Sequence, residues 1–318
     1  IMRAGEALQL ENFEPDVEGG YRRISGFKKH VRSIVPHTTA TSEEVLLITF
    51  FNNNVIAARG EKIWSSASTD LGQGPASAIT SGATMSGSGT VTVKSTTGFN
   101  SSGSFVIDSE EFTYTGITAT TFTGVTRATN STSAAAHDPS SDTTRKVVSE
   151  TWTLRDTGRT NASKYSFERY NYDNNEKIIL VDGTNAPVVL NTSLAATDIN
   201  ESAIAGASIV ASYREHMFYA GMSSTPQEIV FSQPFDEDAF SSGSGAGSVK
   251  VDDTIVGLKV FRDALFIFCE NRIFKLTGSS LANFEVTPIT RNIGCINGKT
   301  IQEFAGDLIF LGPDGLRT

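Results

Sequence analysis

The chain has 318 residues, 39% of them hydrophobic, which is ample for one large core or two medium ones. Its 35 acidic residues against 26 basic ones give a net charge of -9, so there is no surplus of positive charge to neutralise phosphates, and tight nucleic-acid binding is disfavoured. No apolar run approaches the roughly 18 residues a membrane helix needs, since even the segment from Glu44 to Phe51 is flanked by glutamates and asparagines, and membrane insertion by this segment is set aside.

The chain opens at Ile1 with neither a charged n-region nor an apolar h-region, and stops at Thr318 directly after what reads as a strand start. The expectation is a piece of a longer polypeptide. Between these ends, short β-branched and aromatic runs alternate with Gly, Asn and Asp turns, and almost no segment sustains a 3.6-residue period. The fold class predicted is all-β.

These strands recur at fixed spacing. The positions Leu258, Phe261, Leu265, Phe266, Ile267 and Ile273 reappear 43 residues later as Ile301, Phe304, Leu308, Ile309, Phe310 and Leu316. They also appear 210 residues earlier as Ile48, Phe51, Val55, Ile56, Ala57 and Ile63, with Trp64 at the place of Phe274. Weaker copies surround Ile178–Val181 with Val188–Leu190, and Tyr213, Met217, Phe218 and Tyr219 with Ile229–Phe231. Units about 40 to 48 residues apart predict β-propeller blades of four antiparallel strands, each stacking on its neighbours to bury its faces. The alternative is a two-sheet sandwich, which also shows strands every 8 to 12 residues.

One stretch breaks the pattern. Of the 82 residues from Ser65 to Lys146, 52 are Ser, Thr, Gly or Ala and only four are Lys or Arg. Its interior still alternates like half-buried strands at Val91–Val93, Ser104–Ile107, Glu111–Thr115 and Thr121–Val125. This predicts a small β-domain over about residues 84–138, tethered by Ser/Gly-rich segments and inserted into a turn of the first blade. The blade is expected to resume at Val147 to Leu154, with Thr151-Trp-Thr-Leu154 as its outer strand. The predicted organisation is a partial propeller of about five blade units from 1–69 and 147–318, with an inserted β module over 70–146.

No catalytic, cofactor or metal residues are predicted. Residues Gly294 to Thr300 resemble a phosphate-binding loop, but the glycine spacing is one residue short and Ile301-Gln-Glu-Phe304 reads as a strand where a helix is required. His30, His37, His137 and His216 are scattered without partners at metal or nucleophile-base spacing, and His216 reads as a structural histidine. Asp236-Glu-Asp238 lacks the alternating ligand array of an EF-hand and reads as a solvated turn. Cys269 and Cys295 read as free core thiols of a protein made in a reducing cytosol. Five Asn-x-Ser/Thr sequons, at Asn100, Asn130, Asn161, Asn191 and Asn200, are what this Asn-, Ser- and Thr-rich composition gives by chance. Carboxylates brought together from distant positions, as in a glycosidase, leave no trace in a sequence.

The opening, Leu10-Glu-Asn-Phe13, Pro15-Asp16, Gly19-Gly20-Tyr21-Arg22-Arg23 and Gly26-Phe27, resembles the start of phage tail nozzle proteins, also called tail tubular protein B or tail hub proteins. His216-Met-Phe-Tyr219, Ile229-Val-Phe-Ser232 and Pro234-Phe-Asp236 are similar to that family's strand, loop and turn. Phe266-Ile-Phe268, Ile273-Phe274 and Gly312-Pro-Asp-Gly315 look like its later hairpins. The resemblance implies a non-enzymatic virion protein, made in the host bacterial cytoplasm and located in the phage tail. It also implies a ring of identical subunits, usually a hexamer, that contacts the adaptor and portal-side proteins and the tail fibres and carries DNA through its lumen. The acidic balance agrees with DNA sliding past without tight binding. The Ser/Thr-rich insert departs from the plainest nozzle pattern. A baseplate, neck or tail-fibre attachment protein, or a receptor-binding propeller with a concave aromatic site, is the alternative.

Overall fold

A computed structural model describes residues 13–15, 21–23, 44–67, 76–80, 89–107, 110–129, 132–137, 146–149, 152–160 and 164–318. Among these, every element longer than three residues is a β-strand. Five antiparallel sheets follow one another, each with its strands in chain order. Blade 1 comprises Val45–Phe51, Asn54–Arg59, Lys62–Ala67 and, after the insert, Thr153–Asp156. Blade 2 comprises Ser166–Tyr172, Asn175–Val181, Val188–Asn191 and Ala196–Asp198; blade 3 comprises Ile209–Tyr213, His216–Ala220, Glu228–Phe231 and Gly247–Lys250. Blade 4 holds Ile255–Phe261, Ala264–Cys269, Ile273–Thr277 and Glu285–Thr290, and three strands, Gln302–Phe304, Asp307–Gly312 and Gly315–Arg317, form blade 5. The architecture is all-β and propeller-like. Successive meander sheets packed in series replace the two facing sheets of the sandwich alternative.

The first hairpin of every blade closes through two residues. They are Asn52-Asn53, Asp173-Asn174, Arg214-Glu215, Arg262-Asp263 and Ala305-Gly306. Positive φ at both turn residues in blades 1, 2, 3 and 5, and at Arg262 in blade 4, suits the right-handed twist of the flanking strands. A two-residue turn fixes register. Val55, Leu265 and Leu308 therefore occupy the same place on equivalent second strands, opposite Phe50, Val260 and Glu303. This is the equivalence that the 43- and 210-residue offsets require.

The same register puts an aromatic ring before each turn: Phe51, Tyr172, Tyr213, Phe261 and Phe304. In blades 1 to 4 that ring packs onto the following blade. Phe51 lies in one cluster with Ile178 and Leu180, Tyr172 with Met217 and Tyr219, Tyr213 with Leu265 and Ile267, and Phe261 with Leu308 and Phe310. The phenols add polar links: Tyr172 Oη is 3.1 Å from Ser212 Oγ, and Tyr213 Oη donates to the Asp263 carbonyl at 2.9 Å. The repeat thus divides by face. In blade 4, Leu265 and Ile267 meet blade 3, whereas Phe261 and Ile273 meet blade 5. The first strands of blades 2, 3 and 4 lie side by side, which places them nearest the common axis.

The insert has its own core. Ala76–Ala78, Lys146–Ser149, Gly103–Ile107 and Glu110–Tyr114 form one sheet, and Gly116–Ile117, Thr121–Val125 and Gly89–Thr92 form another. Phe105 stacks on Phe112 with centroids 5.1 Å apart and tilts against Phe122 at 4.5 Å, within a cluster separate from those of the blades. Val147, expected to reopen blade 1, lies instead in the strand Lys146–Ser149, which pairs with Ala76–Ala78 and Gly103–Ile107, and the blade's fourth strand begins at Thr153. Near the amino end, Phe13–Pro15 pairs antiparallel with Tyr21–Arg23; the other residues of the opening motif, and His30 and His37, lie outside the described residues.

Within the insert, the backbone at Ala128 and Ala135 is held by one carboxylate. Buried Glu110 accepts from Arg127 Nε and Nη2 at 2.8 and 2.7 Å, from the Ala128 and Ala135 N–H groups at 3.2 and 2.8 Å, and lies 2.8 Å from His137 Nε2. Burial alone would raise its pKa, but Arg127, the Ala135 N–H and His137 outweigh burial and hold it at about 2, below the ordinary 4.5.

Three outcomes are expected. Leu265→Ala, at a fully buried position between blades 3 and 4, should lower the unfolding free energy by about 3 kcal/mol in urea denaturation. Because the folded pKa of Glu110 lies below its unfolded value, its contribution is complete above about pH 4.5 and is lost as pH falls from there toward 2. Glu110→Gln should accelerate hydrogen exchange at Ala128 and Ala135 by about a hundredfold at neutral pH, equivalent to roughly 3 kcal/mol.

Candidate functional surface

Where the first strands converge, blades 2 to 5 leave a depression of about 920 Å³. Lys164 and Phe167 enter it from the start of blade 2, Lys259 from blade 4, and Asn297, Lys299 and Gln302 from the connection into blade 5. The lysine ion pairs among the described residues use Lys177 and Lys250, not these three, although the Lys259 charge acts on Glu168 of blade 2. The carboxylate on the wall, Asp182, is already committed. Its oxygens accept from the Thr184 and Asn185 N–H groups at 2.9 and 2.8 Å and from Asn185 Nδ2 at 2.6 Å. An acidic protein therefore carries a locally cationic hollow with a half-exposed aromatic ring beside it. Such a surface attracts anionic groups.

Glu168 follows Phe167 on the same strand and accepts from the Ser212 N–H of blade 3 at 3.4 Å. Burial pushes its carboxyl up to about 7, against the smaller opposing pulls of that N–H and the Lys259 charge.

The phosphate-loop lookalike folds as a packing device. Gly298–Thr300 is one 3-10 turn, capped by Asn297 Oδ1 accepting from the Lys299 N–H at 2.9 Å, and Gln302–Phe304 follows as a strand. A Cβ on Gly294 would lie 2.1 Å from the Glu270 carbonyl oxygen, and one on Gly298 2.0 Å from that of Val256. Both glycines permit close backbone approach to blade 4. Cys295 and Cys269 are buried free thiols, and burial, with nearby Asp253 and Asp252, pushes Cys269 up to about 12.

Other polar groups are spent on joining elements. His216 is buried, with Nδ1 2.6 Å from the Ser232 carbonyl oxygen. His137, read from the sequence as unpartnered, meets Glu110 across 27 residues of chain. The turn at Asp236 to Asp238 is not wholly solvated as expected: Glu237 is buried, pairs with Lys177 of blade 2, and its carbonyl accepts from Tyr219 Oη at 2.8 Å. Arg159, which no motif flagged, reaches Asp156 and Asp198 at 2.9 Å each, Tyr165 Oη at 3.1 Å and the Ala186 carbonyl at 2.6 Å, tying the exit of blade 1 to blade 2. Among the described residues no three His, Cys, Asp or Glu come together to hold a metal ion, and no helix is long and apolar enough to cross a membrane.

The raised pKa of Glu168 destabilises the folded state once the unfolded carboxyl ionises, so stability falls as pH rises from about 4.5 to about 7. Glu168→Gln keeps an acceptor for Ser212 and removes the charge. It should be more stable than the parent by up to about 3 kcal/mol at pH 8 and indistinguishable from it below pH 4.5, read by urea denaturation at both pH values.

No protein-family model and no curated protein matches the chain. Similar solved structures include Saccharomyces cerevisiae Sqt1, at 11% identity over 88% of this chain and 84% of that one with a TM-score of 0.36. Kluyveromyces lactis Hsv2 is similar at 8% identity over 85% and 72% of the two chains with a TM-score of 0.34, and a phage phi92 endosialidase at 15% identity over 78% and 48% with a TM-score of 0.30.

Proposed function

We propose that this chain is a bacteriophage virion structural protein, a tail nozzle or hub subunit whose ring continues the DNA ejection conduit. The observation that carries this reading is the commitment of four buried polar side chains to scaffolding: Arg159, Glu110, Glu237 and His216 each join one segment to another. A stacked-blade scaffold of this kind supplies rigid surface rather than chemistry. The resemblance of the Gly19-Gly-Tyr-Arg-Arg23 opening and the Phe-Ser-x-Pro turn to tail nozzle proteins supplies the location. In this reading DNA passes along the lumen of the subunit ring and not through the hollow between the blades, where Lys164, Lys259 and Lys299 would grip phosphates.

The same three lysines and Phe167 favour a second reading, a receptor-binding propeller that takes an anionic ligand in its central hollow. Imaging of the intact particle separates the two. The nozzle reading expects a closed ring on the tail axis below the portal, and density at a fibre tip away from that axis would replace it with the receptor-binding one.

A further inference from the structure

The seam between blades 2 and 3 opens toward the rim of the molecule, where the next seam is filled. Between blades 3 and 4, Val249 from the outermost strand of blade 3, with Phe284 and Val286 at the start of the outermost strand of blade 4, packs onto the cluster the two blades share. Blade 2 ends instead in three residues, Ala196–Asp198, none of them buried, and the chain leaves it through the 3-10 turn Ser202–Ile204. The result is a groove of about 370 Å³, within the range of about 300–1,000 Å³ typical of small-molecule sites. Blades 1 and 4 flank the pair, so both walls of the groove belong to complete four-stranded sheets.

The lining is one aromatic ring, hydroxyls and carboxylates. Val230 at the base belongs to the cluster shared by blades 2 and 3, and half-buried Phe240 packs onto that cluster with its ring 5.8 Å from that of Tyr219. Thr225, Ser242 and Ser248 bring hydroxyls that make no hydrogen bond among the described residues. Glu201 Oε1 accepts from the Ala203 N–H at 3.1 Å, and Glu228 Oε2 lies 3.7 Å from Nζ of Lys250, whose side chain is mostly in water. The second oxygen of each carboxylate has no partner among the described residues. Two carboxylates against one lysine repel an anion. An alkyl ligand is disfavoured as well, because covering these hydroxyls and carboxylates without replacing their water leaves them unpaired.

We propose that the groove between blades 2 and 3 binds a neutral saccharide, with Phe240 against the C–H face of a sugar ring and Thr225, Glu228 and Ser248 bonded to its hydroxyls. A sugar residue supplies both donors and acceptors to such a lining and carries no charge for the carboxylates to oppose. The groove lies apart from the cationic hollow and takes the opposite chemistry. It serves a tail subunit and a receptor-binding protein alike, so the proposal goes beyond either reading.

The test titrates maltotriose, cellotriose and chitotriose separately into the isotope-labelled chain and follows backbone amide shifts by NMR. At least one should move Ala203, Gly247 and Ser248 and leave Lys259 and Lys299 in place. Phe240→Ala should weaken that binding about tenfold, the loss of one ring contact worth up to about 1.4 kcal/mol, and Phe240→Tyr, which keeps the ring, should restore it. Should Phe240→Ala disturb packing on Tyr219, Ser248→Tyr, placed on an exposed edge strand, fills the groove from outside the core and should abolish binding. The proposal is overturned if none of the three sugars moves the groove amides, or if Ser248→Tyr binds as the parent does. Shifts at the groove with spermidine and not with the sugars overturn it too, in favour of a cation site. A particle image without a tail ring would sink the nozzle reading and leave these shifts unaffected.

Discussion

The structure depends on the joint between consecutive blades, and each joint turns on one aromatic ring carried at the end of a first strand. A single meander of short strands is marginal in water because it has two faces and no layer to cover either. Setting Phe51, Tyr172, Tyr213 and Phe261 onto the next sheet converts four such meanders and their neighbours into one continuous packed series. Burying one large side chain of this kind stabilises by roughly 1.5–3 kcal/mol, comparable to a sizeable fraction of a whole domain's net stability. The polar bridges of Arg159, Tyr213 and Glu237 then fix how each sheet is rotated on its neighbour.

Much of this joint was legible in the sequence. A two-residue turn permits no slippage, so Phe261, Leu265 and Ile273 keep their spacing in Phe304, Leu308 and Leu316 and in Phe51, Val55 and Ile63. Blades 2 and 3 showed up more weakly because the links to their third and fourth strands vary, as in the stretch from Gly221 to Gln227 before the strand Glu228–Phe231. The exit from the insert was misplaced for a physical reason. Val147 and Val148 have the β-branched character of many strands, and nothing local says which sheet will receive them.

The central hollow was not legible at all. Lys164 and Lys299 come from the connections into blades 2 and 5 and Lys259 from the first strand of blade 4, and no spacing rule links residues that meet only after sheets have stacked. The Glu110 clamp was hidden in the same way, since Arg127, Ala135 and His137 lie 17 to 27 residues from it. Net charge misled in a further respect: a total of -9 says nothing about sign in any one cavity, and here the local sign is opposite.

Blade 1 is completed by a strand that the chain reaches only after the whole insert, with Arg155 Nε bonded to Ser65 Oγ across 90 residues. That separation gives the outer pairing of blade 1 a loop to close that runs through the whole insert, and the loop must be ordered before the pairing is rewarded. A folded insert shortens the loop to the distance between its own two ends. The module's aromatic core therefore acts on the scaffold through folding kinetics: whichever of the two collapses first on the ribosome, the edge of Lys62–Ala67 waits for its partner until the insert has emerged. Until then that edge is an unpaired strand, the kind of surface on which chains in a crowded assembly pathway pair wrongly.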